Sequence, residues 1–270
     1  MVIIAGPNGS GKSSLTRDGR LAEVGILFPT KYINADDIAR EFHGAMPDDT
    51  QEEREWAAFR EARARRRTYC ASGEPFAFET VFSHPSTLMD MRHARAAGFA
   101  VVLLFVCTAD PEINVARVAG RVRQGGHNVN TDKIRDRYRR AMALLPRAVE
   151  TATTALVFDS TQEKETRLCY QRGRFSVESG VPPYLRDRLI IPLASRVEER
   201  DVIAGRFTVA VPNEAEGDYT GVIVWHGDHY AVQETPKGLV RHDGLLFDAL
   251  PNTAETVTIR YKDNAGIVEK

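Results

Sequence analysis

The chain has 270 residues, 43% hydrophobic and 27% charged, which excludes disordered, collagen-like and other fibrous classes. That length exceeds one typical domain and predicts either one large domain or two unequal ones. A chain this long buries roughly 70–75% of the surface its unfolded form exposes, so it needs no disulfide or metal staple. The three cysteines, Cys70, Cys107 and Cys169, are odd in number, far apart and lack metal-ligand spacing. They read as reduced thiols of a cytoplasmic protein. No apolar run approaches the ~20 residues of a membrane span. Met1–Ala5 is too short for a signal peptide and breaks at once into glycines.

The net charge of −1 conceals an asymmetry. Residues 201–270 hold 6 basic and 11 acidic residues, so that tail carries −5 and residues 1–200 carry +4. The acidic tail speaks against non-specific nucleic-acid binding by that part.

The first 160 residues alternate strand-like and helix-like signals, the pattern of an α/β domain with a mainly parallel sheet. Val2–Ala5, Lys31–Ala35 and Pro75–Val81 read as short strands. Val101–Val106 is a continuous apolar run suited to a strand covered on both faces, and Thr154–Phe158 closes the series. Between them, Thr50 to about Arg67 is amphipathic, with Trp56 and Phe59 one turn apart. Asp110 caps the next helix with Pro111 at its first position, and Gly125-Gly126 stops it. Thr131 is expected to cap a further helix that runs to about Pro146.

From Gln162 to Arg200 the pattern is interrupted by Gly173, Gly180 and Pro182-Pro183. The character changes at Arg206 to short β-like runs: Phe207–Val211, Gly221–Trp225, Tyr230–Gln233 and Thr256–Tyr261. Gly227-Asp228 and Asp263-Asn264 supply turn chemistry. The expected organisation is an α/β domain over 1–165, a connector over 166–204 and a small β-rich domain over 205–270.

Gly6-Pro7-Asn8-Gly9-Ser10-Gly11-Lys12-Ser13 fits G-x-x-x-x-G-K-[ST] at every fixed position. Glycines let the backbone curl so that its N–H groups point at phosphate oxygens. Lys12 is expected to reach the β- and γ-phosphates of ATP and Ser13 to ligate Mg²⁺, with Ser14 extending the loop into a helix N-terminus. The competing reading is an ordinary glycine-rich turn. Asn34-Ala35-Asp36-Asp37 follows the second strand, at the carboxyl edge where α/β folds place ligands. Asp36 there suits proton abstraction or metal binding, against the alternative of a helix cap. Glu79 and Thr80 end the third strand at the same edge and suit a polyhydroxylated substrate, or else form a solvated strand end. Arg117, Arg121, Arg123, Arg135, Arg137, Arg139 and Arg140 flank Gly125-Gly126-His127 and read as a lid over a triphosphate, or as two solvated helices. No apolar strand ends in a Walker B aspartate followed by glutamate, which argues against a mechanical ATPase. His226-Gly227-Asp228-His229 is expected to be a hairpin tip rather than a metal site. Trp225 and Tyr230 beside it read as core.

These residues resemble the zeta-toxin-like P-loop kinases. The resemblance rests on Ile4–Ser14, Tyr32–Ala39, Phe78–Leu88, Arg121–Val129 and Ile134–Met142, in that order, and covers residues 1–160. It implies ATP-dependent transfer of a phosphoryl group to the 3′-hydroxyl of UDP-N-acetylglucosamine by the toxin of a toxin–antitoxin pair, with an antitoxin protein as partner. It further implies Lys12 and Ser13 on ATP and magnesium, and Asp36 as general base. Glu79 and Thr80 fall on the nucleotide sugar, with Arg121 and Arg137 as lid arginines. Asn128 and Asn130 depart from the Asp and Pro that relatives often carry. Gly217–Gly221 to Val257–Tyr261 resembles the KfrB-like domain of plasmid-borne proteins, which implies a mobile-element setting. No nucleic-acid or membrane partner is expected for the kinase domain, and the second domain's ligand is left open. The alternatives are a kinase of another nucleotide such as NAD, or a nucleotide-gated plasmid-maintenance adaptor.

Overall fold

The computed structural model describes residues 1–17, 26–45, 50–125, 129–162, 166–171, 174–177, 180–214, 216–262 and 265–269. The chain divides into two units, Met1–Arg186 and Asp187–Lys270. Among the described residues, no helix is long and apolar enough to cross a membrane.

The first unit is built on a seven-stranded sheet. Its strands are β1 (Val2–Ala5), β2 (Lys31–Ile33), β3 (Phe76–Thr80), β4 (Val102–Cys107), β5 (Thr154–Asp159), β6 (Thr166–Gln171) and β7 (Arg174–Val177), in the order β2-β3-β1-β4-β5-β6-β7. The pairs from β2 to β5 are parallel, and β6 and β7 add antiparallel strands at one edge. This is the mixed α/β architecture expected from the alternating signals. β1 and β4 are apolar on both faces because helices cover both. Val2, Ile4, Leu104, Val106, Leu156 and Phe158 form the core on one side, with Leu15 against them. Ile3, Phe76, Phe78, Leu103, Phe105 and Val157 are buried elsewhere along the same strands.

The helices are α1 (Lys12–Arg17), α2 (Ala35–Ala45), α3 (Gln51–Ser72), α4 (Ser86–Ala96), α5 (Pro111–Arg123) and α6 (Thr131–Thr151). α3 starts with a capping box between Thr50 and Glu53 and ends at Gly73 in the left-handed region, a full turn beyond Arg67. Buried Arg66 ties it to α4 and the sheet, with Nε 3.0 Å from Asp90 Oδ2 and its guanidinium over the Phe78 ring. Asp110 caps α5 as expected, its carboxylate accepting the Glu112 N–H. Two helix expectations need correction. Asn130, not Thr131, caps α6, since its Oδ1 accepts the N–H groups of Asp132 and Lys133. Nor does Pro146 end that helix. A proline removes one internal hydrogen bond, and buried Leu144, Leu145, Ala148 and Val149 around it keep the helix intact to Thr151. Lys31–Ala35 is likewise shorter than read, because Asn34 turns the chain into α2. Gly126, His127, Asn128, Gly173, Asp263 and Asn264, which the sequence reading used, lie outside the described residues.

The second unit carries α7 (Ile191–Arg206) and a six-stranded sheet. The strands are β8 (Val209–Ala210), β9 (Glu216–His226), β10 (Tyr230–Thr235), β11 (Gly238–Asp243), β12 (Thr256–Lys262) and β13 (Ala265–Glu269), ordered β13-β12-β9-β10-β11-β8. All pairs are antiparallel except β8 with β11. Ile203 of α7 clusters with Tyr230 and Val232. Buried Arg196 meets Asp243 Oδ2 and the Tyr230 hydroxyl, each at 2.8 Å. Elsewhere in the unit, Ile223, Ala231, Val257, Ile259 and Tyr261 form a second cluster. His226–His229 is the β9–β10 hairpin tip, where the Glu199 carboxylate accepts the N–H groups of His229 and Tyr230. Tyr230 is core, as read, while Trp225 is partly buried against it.

A buried polar chain crosses that second cluster. Gln233 Nε2 donates among the carbonyls of Tyr219, Gly221 and Val257, which turns its Oε1 toward His242 Nε2 at 3.1 Å. His242 therefore carries its proton on Nε2, and Nδ1 accepts the Tyr261 hydroxyl at 2.8 Å. Burial pushes the imidazole down to about 4. Between pH 6.5 and about 4 the unfolded chain takes up a proton that the folded chain refuses. Acidification through that window is therefore expected to destabilise this unit by up to about 3 kcal/mol. Urea unfolding followed by Trp225 emission in a Trp56→Phe background measures this, and a His242→Gln variant should show a flatter pH dependence.

Candidate nucleotide-binding site

The site forms at the carboxyl edge of the parallel strands. The P-loop runs from β1 into α1, and its first glycine is fixed by a backbone bond from Gly6 N–H to the Thr80 carbonyl at 3.2 Å. A Cβ on Gly6 would lie 2.0 Å from the Val106 carbonyl oxygen, so no other residue fits beside β4. Gly9 has φ 76°, and a Cβ there would meet the Asn114 carbonyl at 2.6 Å. The loop thus takes a tight course that only glycine permits at these two positions.

Lys12 opens α1 and is only 7% exposed. Its Nζ donates to the Pro7 carbonyl at 3.0 Å and lies 4.0 Å from Glu79 Oε1. Burial lowers its pKa, Glu79 and Asp36 oppose that, and Arg121 and Arg137 add to it. Asp36, Glu79, Arg121 and Arg137, drawn from four further elements, therefore all act on the Lys12 charge. Asp36 sits in the first turn of α2. The cap there is Asn34, whose Oδ1 accepts the Asp36 N–H at 2.9 Å, and Asp37 pairs with Arg40. The Asp36 carboxylate itself makes no hydrogen bond or ion pair among the described residues. Ser13 and Ser14 are exposed on the first turn of α1.

At the end of β3, Glu79 Oε2 accepts the Tyr32 hydroxyl at 3.0 Å. Burial and the Glu79 carboxylate raise the Tyr32 pKa, which keeps the phenol a donor. Thr80 Oγ1 accepts the N–H of Phe82 at 3.2 Å, and Phe82 has φ 60°, a costly conformation for a bulky residue. Its buried ring packs edge-on to Phe105 and holds that turn.

The seven arginines separate into different environments. Arg135 is engaged by Glu112, with bonds of 2.7 and 3.0 Å, and by Asp132. Arg139 and Arg140 pair with Asp136, and Arg117 binds Ser160. Arg137 Nη1 reaches the P-loop at Asn8 Oδ1, 3.4 Å away. Sequence reasoning missed three supports. Asn114, buried on α5, donates from Nδ2 to the Asn8 carbonyl at 2.7 Å and accepts the Thr108 hydroxyl. Tyr32 holds Glu79. Ser160, just past β5, bonds the Ser10 carbonyl. Ser160 was findable, since strand ends at this edge are where such folds place ligand contacts. Asn114 carried no local signal.

A sequence profile of the AAA domain matches residues 1–145, more than half of the chain. The chain belongs to the AAA domain family. A profile of the KfrB domain matches residues 218–270, which are β9 to β13 of the second unit. An uncharacterized protein of Haemophilus influenzae is 31% identical over 137 residues, spanning 51% of this chain and 91% of that one. Among solved structures, the PezAT toxin–antitoxin system of Streptococcus pneumoniae is similar at 15% identity and a TM-score of 0.46, covering 76% of this chain and 87% of that one. The AvrRxo1-ORF1–ORF2 complex with ATP is similar at 13% identity and 0.46, covering 83% and 68%. A gluconokinase from Sinorhizobium meliloti is similar at 17% identity and 0.36, covering 74% and 95%. The AAA domain thus spans β1 to β4 and most of the helices that carry the clustered charges.

Replacing Asn114 by Leu takes the donor from the half-buried Asn8 carbonyl and leaves the buried Thr108 hydroxyl only its bond to the Asp110 carbonyl at 3.3 Å. The carbonyl left without a donor is expected to cost about 1–3 kcal/mol. The shift of the urea midpoint at unchanged slope reads that loss.

Proposed function

We propose that the chain is an ATP-dependent kinase that phosphorylates a hydroxyl of a nucleotide sugar, the 3′-hydroxyl of UDP-N-acetylglucosamine in the first instance, and acts as a toxin. The observation that carries this reading is the charge arrangement at Lys12. Two carboxylates, Glu79 and Asp36, stabilise the Lys12 charge, and two more cations, Arg121 and Arg137, oppose it. One of those carboxylates, Asp36, has no hydrogen bond or ion pair among the described residues. Such a site can hold a triphosphate and still present a base to an acceptor.

Lys12, Ser13 and the amides of Gly9 to Ser14 would hold ATP and its magnesium ion. The narrow glycine course and the exposed Ser13 hydroxyl fit both. When bound, the ion supplies charge neutralisation. Asp36 takes the proton of the acceptor hydroxyl as that oxygen bonds to the γ-phosphorus. The bond from the γ-phosphorus to the β–γ bridging oxygen breaks, and ADP leaves. Arg121 and Arg137 offset the negative charge on the transferring group. Glu79, steadied by Tyr32, and Thr80, whose hydroxyl proton is not used by the Phe82 turn, bind the sugar. An antitoxin partner and a cytoplasmic setting follow from the toxin reading. The KfrB domain match favours one rival, a plasmid-maintenance adaptor whose P-loop gates binding.

Mass spectrometry of a reaction with ATP, magnesium and UDP-N-acetylglucosamine tests the proposal. A phosphorylated nucleotide sugar is expected, with the rate reduced about 10²–10⁴-fold by Asp36→Asn and lost in Lys12→Ala. ADP with no phosphorylated sugar would move the acceptor to another nucleotide. If neither ADP nor product forms, the kinase reading gives way to the adaptor.

A further inference from the structure

Helix α3 buries Ala58, Ala62 and Arg66 against its own unit. Beside that face it leaves an unusual stripe in solvent. Trp56 is 60% exposed and Phe59 40%, with their rings in an edge-to-face pair at 6.0 Å. Glu52 precedes them by four residues, and Arg63 follows Phe59 by four. Glu52, Trp56, Phe59 and Arg63 are therefore spaced by four, three and four residues. That is the seam spacing of a two-helix coiled coil.

The order of residue types along this stripe specifies its partner. Reversing a second copy of α3 about a two-fold axis between Ala57 and Ala58 sets Trp56 opposite Phe59 of the second copy. The same operation sets Glu52 opposite Arg63 at each end. A parallel pairing would instead stack Glu52 on Glu52 and Arg63 on Arg63, which repel. An interface in which one patch is its own complement closes with two-fold symmetry.

We propose that α3 pairs antiparallel with α3 of a second copy of this chain, making the protein a homodimer through an aromatic centre flanked by Glu–Arg pairs. The inference is independent of the chemistry at the P-loop. One helix pair is a small interface, so association in the micromolar range is expected rather than an obligate dimer.

Sedimentation equilibrium of the full chain over a wide concentration range tests this. Wild type should show a monomer–dimer equilibrium. Replacing both Trp56 and Phe59 by Ala should weaken it at least tenfold. Both side chains are exposed, so far-UV circular dichroism and the melting temperature should stay unchanged. Glu52→Arg alone should also weaken the dimer, and adding Arg63→Glu should restore it to within a few-fold of wild type. A wild-type chain that stays monomeric to its solubility limit overturns the proposal and leaves the stripe to a different protein. So does a dimer indifferent to loss of the aromatic pair, or a charge swap that fails to recover association.

Discussion

A lysine ammonium held out of water is the constraint on which the first unit turns. Burial penalises the charge of Lys12, and the Pro7 carbonyl and the nearby carboxylates offset that penalty. Glu79 comes from β3 and Asp36 from α2, so the parallel register of β1 with β3 and the Asn34 turn are both required to supply them. Arg121 and Arg137 push the other way. The P-loop lysine and its surrounding charges are thus one electrostatic unit.

Much of the first unit was legible because its signals are local or periodic. The P-loop spacing, the apolar run at Val101–Val106 and the Asp110-Pro111 cap each reflect physics acting within a few residues. Asp36 and Glu79 could be assigned to the sheet edge because strands of this kind end where ligands bind. What stayed hidden depends on distance in sequence. Asn114 lies 106 residues from the carbonyl it satisfies. Nothing in Pro111–Arg123 distinguishes it from a solvent-facing polar residue. Pro146 misled for the opposite reason, since a strong local signal was overruled by packing on both sides of it. The sorting of the arginines was equally non-local. Arg135 and Arg137 look alike in the sequence, yet Glu112 claims one while Asn8 faces the other.

The second unit obeys a different economy of polar groups. Its β-runs were readable from alternation and turns, but its buried polar chain was not. Gln233 saturates carbonyls of Tyr219, Gly221 and Val257, and only because it does so is the tautomer of His242 fixed. Fully satisfied networks of this kind favour one strand register over its neighbours, because a slip would leave several buried groups unpaired at once.

The turn at Phe82 carries a consequence for how defects in this protein will be interpreted. The backbone of Phe82 is held in an unfavourable conformation by a ring that rests on Phe105, inside the sheet core. Relaxing that core contact would let the turn unwind and displace Thr80 and Glu79. Trimming an apolar side chain in the middle of β4 would therefore look, in a screen, like damage to ligand recognition rather than to the fold.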